Sequence, residues 1–104
     1  MKLQMHSIHF DADQKLLSFI QKKTDKLETF YDRIVDGEVY LRLDKGDHSR
    51  ENKVVEIKLN IPGGILFAKE LSTTFEGATD LAVEALKAQI RKHKEKLVTH
   101  GQME

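Results

Sequence analysis

The last quarter of the chain carries a long helical pattern. From Thr73 onwards, apolar side chains recur at intervals of three and four residues, which is the spacing of a helix with one buried stripe. The predicted members of this stripe are Phe75, Ala78, Leu81, Ala82, Ala85, Leu86, Ile90 and Leu97. Thr73 and Glu76 have the spacing of a capping box, so we expect the helix to begin there.

The N-terminal third predicts a strand followed by another helix. Residues 2–9 alternate between polar and apolar side chains, as in a strand with one buried face. Asp11 and Asp13 are good helix caps, and residues 14–33 then show helical spacing. The inner stripe of this helix is predicted to contain Leu16, Leu17, Phe19, Ile20, Leu27 and either Phe30 or Tyr31.

Three further strands are predicted between the two helices. Residues 35–43 and 53–61 alternate cleanly, and the intervening residues 44–52 contain no apolar side chain and read as a loop. The turn Pro62-Gly63-Gly64 leads into residues 65–71, because proline presets φ and glycine accepts positive φ. A tight antiparallel hairpin is therefore expected at this point.

The resulting order of elements, β-α-β-β-β-α, predicts the fold class. The first two strands are joined through a helix and should lie parallel, while the last three form an antiparallel meander. Both helices need an apolar surface to cover, so we expect an α+β two-layer sandwich with both helices on one face of a four-stranded sheet. The opposite face would expose Tyr40, Arg42, Glu56, Lys58 and Asn60.

Composition narrows the class of protein. The chain has 104 residues and no cysteine, which predicts a single domain over 1–104 without disulfides or thiolate metal sites. It has neither a continuous run of 18 apolar residues nor a secretory signal pattern. We therefore expect a cytoplasmic protein that does not enter a membrane.

Charge is balanced overall but unevenly distributed. Lys and Arg together number 17, as do Asp and Glu, yet residues 87–104 carry five basic and two acidic side chains. The basic side chains in this segment are Lys87, Arg91, Lys92, Lys94 and Lys96. Lysines near the end of a helix also complement the helix dipole or simply face solvent. Five within ten residues exceed that need and indicate contact with a polyanion.

A weaker basic cluster occurs on the first predicted helix. Lys22, Lys23 and Lys26 stand close together, although lysines in such a group are more often solvated. If both helices lie in one layer, these lysines would border the same groove as Lys87 and Arg91.

The sequence offers no catalytic constellation. His6 and His9, placed on one strand, would point to opposite faces, which is a poor arrangement for a metal ion. The serines have no fixed relation to a histidine, and no phosphate-binding glycine loop is present. We expect a protein that is not an enzyme and that needs neither a metal nor a cofactor.

Three segments of the chain resemble a known family. These are Lys23–Ile34, Asn60–Ala68 with its Gly-Gly turn, and residues 80–96 with their KHKEK ending. Together they resemble the ribosome hibernation-promoting factor and ribosome-associated inhibitor A family, and the resemblance covers essentially the whole chain. This chain resembles the short form, which lacks the appended C-terminal domain by which long members pair two ribosomes.

The resemblance implies a fold, a partner and a set of contact residues. Family members have a fold similar to the double-stranded-RNA-binding domain and bind the small ribosomal subunit, where they block the messenger RNA and transfer RNA sites under stress. The positions in this chain that match the family are Lys23, Lys26, Gln89, Lys92, His93, Lys94 and Lys96.

These observations lead to one expected function and one alternative. We expect a ribosome hibernation factor, monomeric when free, that contacts 16S-type rRNA and has no small-molecule substrate. Its RNA-binding residues are predicted to be Lys23, Lys26, Lys87, Arg91, Lys92, Lys94 and Lys96. The alternative is a protein-interaction module or small homodimer that uses the exposed face of the sheet.

Overall fold

The structure is a computed structural model that describes residues 1–44 and 51–103, the last seven of them as backbone only. Four strands, two α-helices and one 3₁₀ turn follow the predicted order. Their bounds are β1 Lys2–Ser7, α1 Gln14–Asp25, the 3₁₀ turn Lys26–Thr29, β2 Asp36–Leu43, β3 Lys53–Ile61, β4 Gly64–Ser72 and α2 Phe75–Met103. Residues 45–50 of the predicted loop lie outside the described residues.

The strands form one mixed sheet in the order β1-β2-β3-β4. As predicted, β1 runs parallel to β2, while β3 and β4 complete an antiparallel meander. Met5, Val39, Ile57 and Ala68 lie side by side across the four strands on the face that carries the helices. The hairpin between β3 and β4 turns at Gly63, whose φ of 81° suits glycine.

One hydrophobic core lies between this sheet face and the two helices. Its fully buried members include Ile20, Leu27, Leu41, Ile57, Leu59, Leu86 and Ile90. Each buried side chain of this size contributes roughly 1.5–3 kcal/mol when it is removed from water. Both helices thus cover the same face, and the predicted α+β two-layer sandwich is confirmed.

The first helix is shorter than predicted. It begins at the expected cap, where Asp13 Oδ1 accepts a hydrogen bond of 2.8 Å from the amide of Leu16. It ends at Asp25, not at residue 33, and continues only as the 3₁₀ turn. The prediction was wrong because Leu27, Tyr31 and Ile34 keep a spacing of three to four residues and remain buried, although the chain is no longer α-helical.

The second helix begins and packs slightly differently from the prediction. The amide of Gly77 donates to Thr74 Oγ1 at 2.9 Å, so Thr74 is the cap, and the predicted capping box of Thr73 and Glu76 is wrong. Leu81 is also 48% exposed, because it lies about 100° around the helix from the buried Ala82, on the side away from Leu86 and Ile90. Val83, about 100° from Ala82 on the other side, is 8% exposed and belongs to the buried stripe.

The first strand ends before the predicted residue 9. Ile8 still donates its amide to the carbonyl of Leu41 at 2.9 Å, but His9 adopts a φ of 65°. A non-glycine residue with positive φ interrupts extended structure and turns the chain towards α1. His6 and His9 therefore do not share a strand.

Candidate nucleic-acid interface

A groove of about 390 Å³ separates α2 from the end of α1 and the 3₁₀ turn. The lysines Lys23 and Lys26 line one side of this groove, and Lys87 lines the other. The full set of lining residues is Lys23, Lys26, Leu27, Thr29, Phe30, Asp80, Val83, Glu84 and Lys87. The structure thus brings together three of the predicted RNA-binding residues, whereas Arg91 is not among those that line the groove.

Two of the groove lysines are partly neutralised by carboxylates of α2. Lys23 Nζ lies 3.2 Å from Asp80 Oδ1, and Lys87 Nζ lies 3.7 Å from Glu84 Oε1. Exposed pairs of this kind contribute little, about 0–1 kcal/mol, and separate easily when a stronger partner arrives. The third groove lysine, Lys26, is exposed and forms no ion pair with a described residue.

The end of α2 carries the other predicted contact residues beyond the core. Ile90 is the last buried residue among the described side chains of the helix, at 1% exposure. Beyond it, four basic side chains are exposed, and within the described part of the chain none of them forms an ion pair. These residues, which we call the basic end, are Arg91, Lys92, Lys94 and Lys96. Their charge is therefore available to a negative partner.

One lysine of the basic end also contacts the groove. Lys94 Nζ donates a hydrogen bond of 2.7 Å to the main-chain carbonyl of Phe30. In addition, His93 Nε2 lies 3.3 Å from the hydroxyl of Tyr31, with the two rings edge to face at 5.5 Å. These contacts attach the basic end to the segment after the 3₁₀ turn, so the groove and the basic end form one continuous surface.

Gln89, which matches a family position, has a structural role here. Its side-chain amide donates to the carbonyl of Phe67 at 2.6 Å and accepts from the amide of the same residue at 3.2 Å. Phe67 belongs to β4, an edge strand of the sheet. Gln89 therefore occupies backbone groups that another strand would otherwise pair with.

The opposite face of the sheet pairs its charges internally. Arg42 donates to Glu56 at 2.6 Å, and this hydrogen bond lowers the pKa of Glu56, against the opposing effect of burial. The hydroxyl of Tyr40 donates to Glu38 at 2.7 Å, which lowers the pKa of Glu38 and raises that of Tyr40. The helical side of the molecule is thus the better candidate for binding a polyanion.

Sequence reasoning missed the exposed aromatic ring in the groove. The apolar spacing predicts Phe30 only as an alternative to Tyr31 in the core, but Phe30 is 44% exposed, whereas Tyr31 is 8% exposed. The ammonium group of Lys87 lies 4.7 Å from the centre of the Phe30 ring. The two aromatic residues are adjacent in the sequence, and the apolar spacing does not indicate which of them faces solvent.

The arrangement of metal-ligating side chains and the character of the helices bear on other classes of function. In residues 1–44 and 51–103, no group of three or more histidines or carboxylates is arranged to hold a metal ion. Across the same part of the chain, neither helix combines the length and apolar character that a membrane crossing requires.

The chain is similar to several known proteins. It is 30% identical over 100 residues to the ribosome hibernation promotion factor of Deinococcus radiodurans, of which it spans 52%. It is 29% identical to the ribosome hibernation promoting factor of Escherichia coli K12, covering 96% of this chain and 100% of that protein. The corresponding protein of Pseudomonas putida KT2440 is 28% identical, with 92% and 89% coverage.

Solved structures show the same fold. A ribosomal subunit interface protein from Coxiella burnetii superposes with a TM-score of 0.80 at 22% identity, over 91% of this chain and 99% of that one. The N-terminal domain of Thermus thermophilus Protein Y gives a TM-score of 0.76 at 22% identity, over 89% and 99%.

A family model settles the relationship. The model for sigma 54 modulation protein / S30EA ribosomal protein matches residues 3–98, which include every predicted contact residue. The resemblance seen in the sequence is thus confirmed, and the chain belongs to the sigma 54 modulation protein / S30EA ribosomal protein family.

Proposed function

We propose that this protein is a ribosome hibernation factor that binds the small ribosomal subunit and inhibits translation by blocking the messenger RNA and transfer RNA sites. Its membership of the family and the names of its relatives, ribosome hibernation factors among them, support this role. The proposed partner is 16S-type rRNA in the decoding channel. Because ribosomes act there, the proposed location is the cytoplasm, and the free protein is proposed to be a monomer.

The observation that carries this proposal is the unpaired charge of the basic end. Arg91, Lys92 and Lys96 are exposed and form no ion pair with any described residue. Lysine and arginine bind phosphate by releasing condensed counterions, which supplies affinity with little sequence information. The groove lysines Lys23, Lys26 and Lys87 extend the same surface towards α1.

The proposed mechanism is occlusion and involves no chemical step. The 29 residues of α2 span about 43 Å at 1.5 Å per residue, and the whole molecule measures 52 × 26 × 18 Å. An elongated domain of this size, held by phosphate contacts along one helix, excludes other molecules from the channel that it occupies. Shape-reading RNA-binding domains bind backbone in a comparable way.

One observation favours the alternative of a protein-interaction module. Ile65 and Phe67 are 56% and 50% exposed on the sheet face opposite the helices. A partner that covers these side chains would bind mainly through apolar contact. Its affinity would change little with salt, whereas the affinity for RNA falls steeply as salt rises.

Reversal of charge at the basic end tests the proposed function. We choose Arg91→Glu, Lys92→Glu and Lys96→Glu together and leave Lys94 unchanged, because Lys94 also binds the carbonyl of Phe30. The triple variant should fold, since surface substitutions usually cost within about 0.5 kcal/mol each. We expect it to lose co-sedimentation with purified small subunits and to lose inhibition in a translation assay.

A matched control reverses the same amount of charge on the other side of the molecule. Lys2, Lys58 and Lys69 lie on strands of the sheet, on the face opposite the helices. Their replacement by glutamate should leave co-sedimentation and inhibition intact. Sedimentation of the basic-end variant at wild-type levels would show that this surface is not the contact.

A further inference from the structure

We propose that the groove beside Phe30 receives the base of one unpaired RNA nucleotide, which stacks on the Phe30 ring while its phosphate binds the groove lysines. This inference rests on the proposed function, since it assigns a subsite within the same surface. It names single-stranded RNA as the class of ligand at this position.

The first argument is the exposure and fixed position of Phe30. The ring is 44% exposed at the wall of the groove, while the adjacent Tyr31 supplies the core contact. The main chain of Phe30 is held at both its polar groups, because its amide donates to Leu27 at 3.0 Å and its carbonyl accepts from Lys94 at 2.7 Å. An exposed aromatic ring on a fixed backbone is the usual platform for an unpaired base.

The second argument is the position of cations around this ring. Lys87 Nζ lies 4.7 Å from the ring centre, and Lys23 and Lys26 line the other side of the groove. A nucleotide with its base on the ring would bring its phosphate within reach of these flexible side chains. Lys87 then exchanges its contact with the ring for contact with the phosphate.

The third argument is the presence of acceptors in the same groove. Asp80 and Glu84 place carboxylates beside the groove lysines, where a bare row of phosphates would be repelled. A nucleoside instead offers donors to them, namely the ribose 2′-hydroxyl and the amino groups of bases. The groove volume of about 390 Å³ also lies within the range of about 300–1,000 Å³ typical of small-ligand sites.

The ligand is an unpaired base because a paired one cannot reach the ring. In a duplex, the faces of the bases are stacked on their neighbours, so only a looped-out or single-stranded nucleotide exposes a face for stacking. The basic end, by contrast, binds phosphate and is indifferent to pairing. The two parts of the surface therefore predict different responses to single-stranded and duplex RNA.

A tryptophan reporter gives a direct test. The chain contains no tryptophan, so Phe30→Trp introduces a single tryptophan at the proposed platform. A single-stranded RNA decamer should quench its fluorescence, while a blunt duplex of the same sequence and an abasic ribose-phosphate decamer should not. Phe67→Trp, on the opposite sheet face, is the matched control and should respond to none of the three probes.

Removal of the ring measures its contribution. Phe30→Ala should weaken binding of the single-stranded decamer by roughly thirtyfold, the middle of the range for one stacked base. The dependence of affinity on salt and the affinity for duplex should stay unchanged, because the phosphate contacts remain. The control variant Phe67→Ala should leave both affinities and the salt dependence unchanged. If Phe30→Trp binds the single-stranded decamer as tightly as the wild type, the site requires an aromatic ring.

The possible failures separate this inference from the proposed function. If the wild type sediments with small subunits but Phe30→Trp is not quenched and Phe30→Ala binds normally, the groove does not take a base, and the ribosomal role stands. Equal quenching by the abasic decamer would also overturn the inference, since it would assign the effect to phosphate. If small subunits do not bind but the single-stranded decamer alone quenches Phe30→Trp, the base site stands and the ribosomal role fails.

Discussion

At the scale of single residues, identical charged groups behave differently according to their neighbours. Lys92 projects from α2 without an ion-pair partner among the described residues, whereas Lys94, two positions later, donates to the carbonyl of Phe30 at 2.7 Å. Lys23 is held 3.2 Å from Asp80. The number of basic residues therefore overstates the positive charge that is free of ion pairs. That unpaired charge is most concentrated on the residues that follow Ile90.

The pair formed by Arg42 and Glu56 predicts a pH-dependent contribution to stability. Arg42 lowers the pKa of Glu56 in the folded protein, so the contribution is complete above the ordinary glutamate pKa of about 4.3 and is lost as pH falls through the lowered value. Glu56→Gln should reduce the free energy of unfolding by about 1 kcal/mol at pH 7, as expected for a partly exposed hydrogen-bonded pair. Urea denaturation should show this difference shrinking below about pH 4.

Glu70→Gln is the control for this pH experiment. Glu70 lies on β4 and forms no ion pair with a described residue. The difference in the free energy of unfolding between this variant and the wild type should stay small at pH 7 and at pH 3. A constant loss of stability in Glu56→Gln from pH 7 to pH 3 would contradict the role assigned to Arg42.

At the scale of elements, the start of α2 and the edge of the sheet are fixed by side chains that bond to main chain. Thr74 caps the first turn of α2 through the amide of Gly77. Gln89, near the middle of the helix, bonds to both main-chain groups of Phe67 on β4. The Gln89 contact sets α2 at a defined position against the sheet, and the basic end follows it along the helix.

The cap of α2 can be tested by two neighbouring threonines. Thr74→Ala should lower the free energy of unfolding by about 1 kcal/mol, because it leaves a helix amide without its partner. Thr73→Ala is the matched control and should change stability by less than about 0.5 kcal/mol. Urea denaturation of both variants measures the two losses of stability. A larger loss in Thr73→Ala than in Thr74→Ala would support the capping box predicted from the sequence.

At the scale of the whole molecule, charge is segregated along the chain. Residues 1–86 carry 12 basic and 15 acidic side chains, and residues 87–104 carry five and two. On the sheet face, carboxylates lie among the bases and pair with them, as Arg42 does with Glu56 at 2.6 Å. At physiological salt, screening acts over about 8 Å, so a partner at the basic end is little affected by acids elsewhere on the molecule.

This segregation predicts a steep salt dependence. With about five phosphates contacted, each contributing about −0.7 to −0.9, the plot of log affinity for RNA against log salt should have a slope of about −4. The variant Arg91→Glu, Lys92→Glu and Lys96→Glu should have a shallower slope, and Lys2→Glu, Lys58→Glu and Lys69→Glu the wild-type one. A flat response of the wild type would favour the protein-interaction module.

The sequence by itself determined the order of elements, the pairing of strands and the face of the sheet that the helices cover. These follow from local periodicity and from short connections, and both are properties of residues that are close together in the sequence. It also located the basic end, because Arg91, Lys92, Lys94 and Lys96 are neighbours in sequence.

The tertiary structure alone decided where α1 ends, which threonine caps α2, and that Phe30 faces solvent while Tyr31 enters the core. It also decided that Lys23 and Lys26 meet Lys87 across one groove. Apolar spacing continues through a turn as readily as through a helix, so periodicity could not mark the end of α1. Contacts between residues some sixty positions apart depend on how the helices pack on the sheet, and that packing has no local signature.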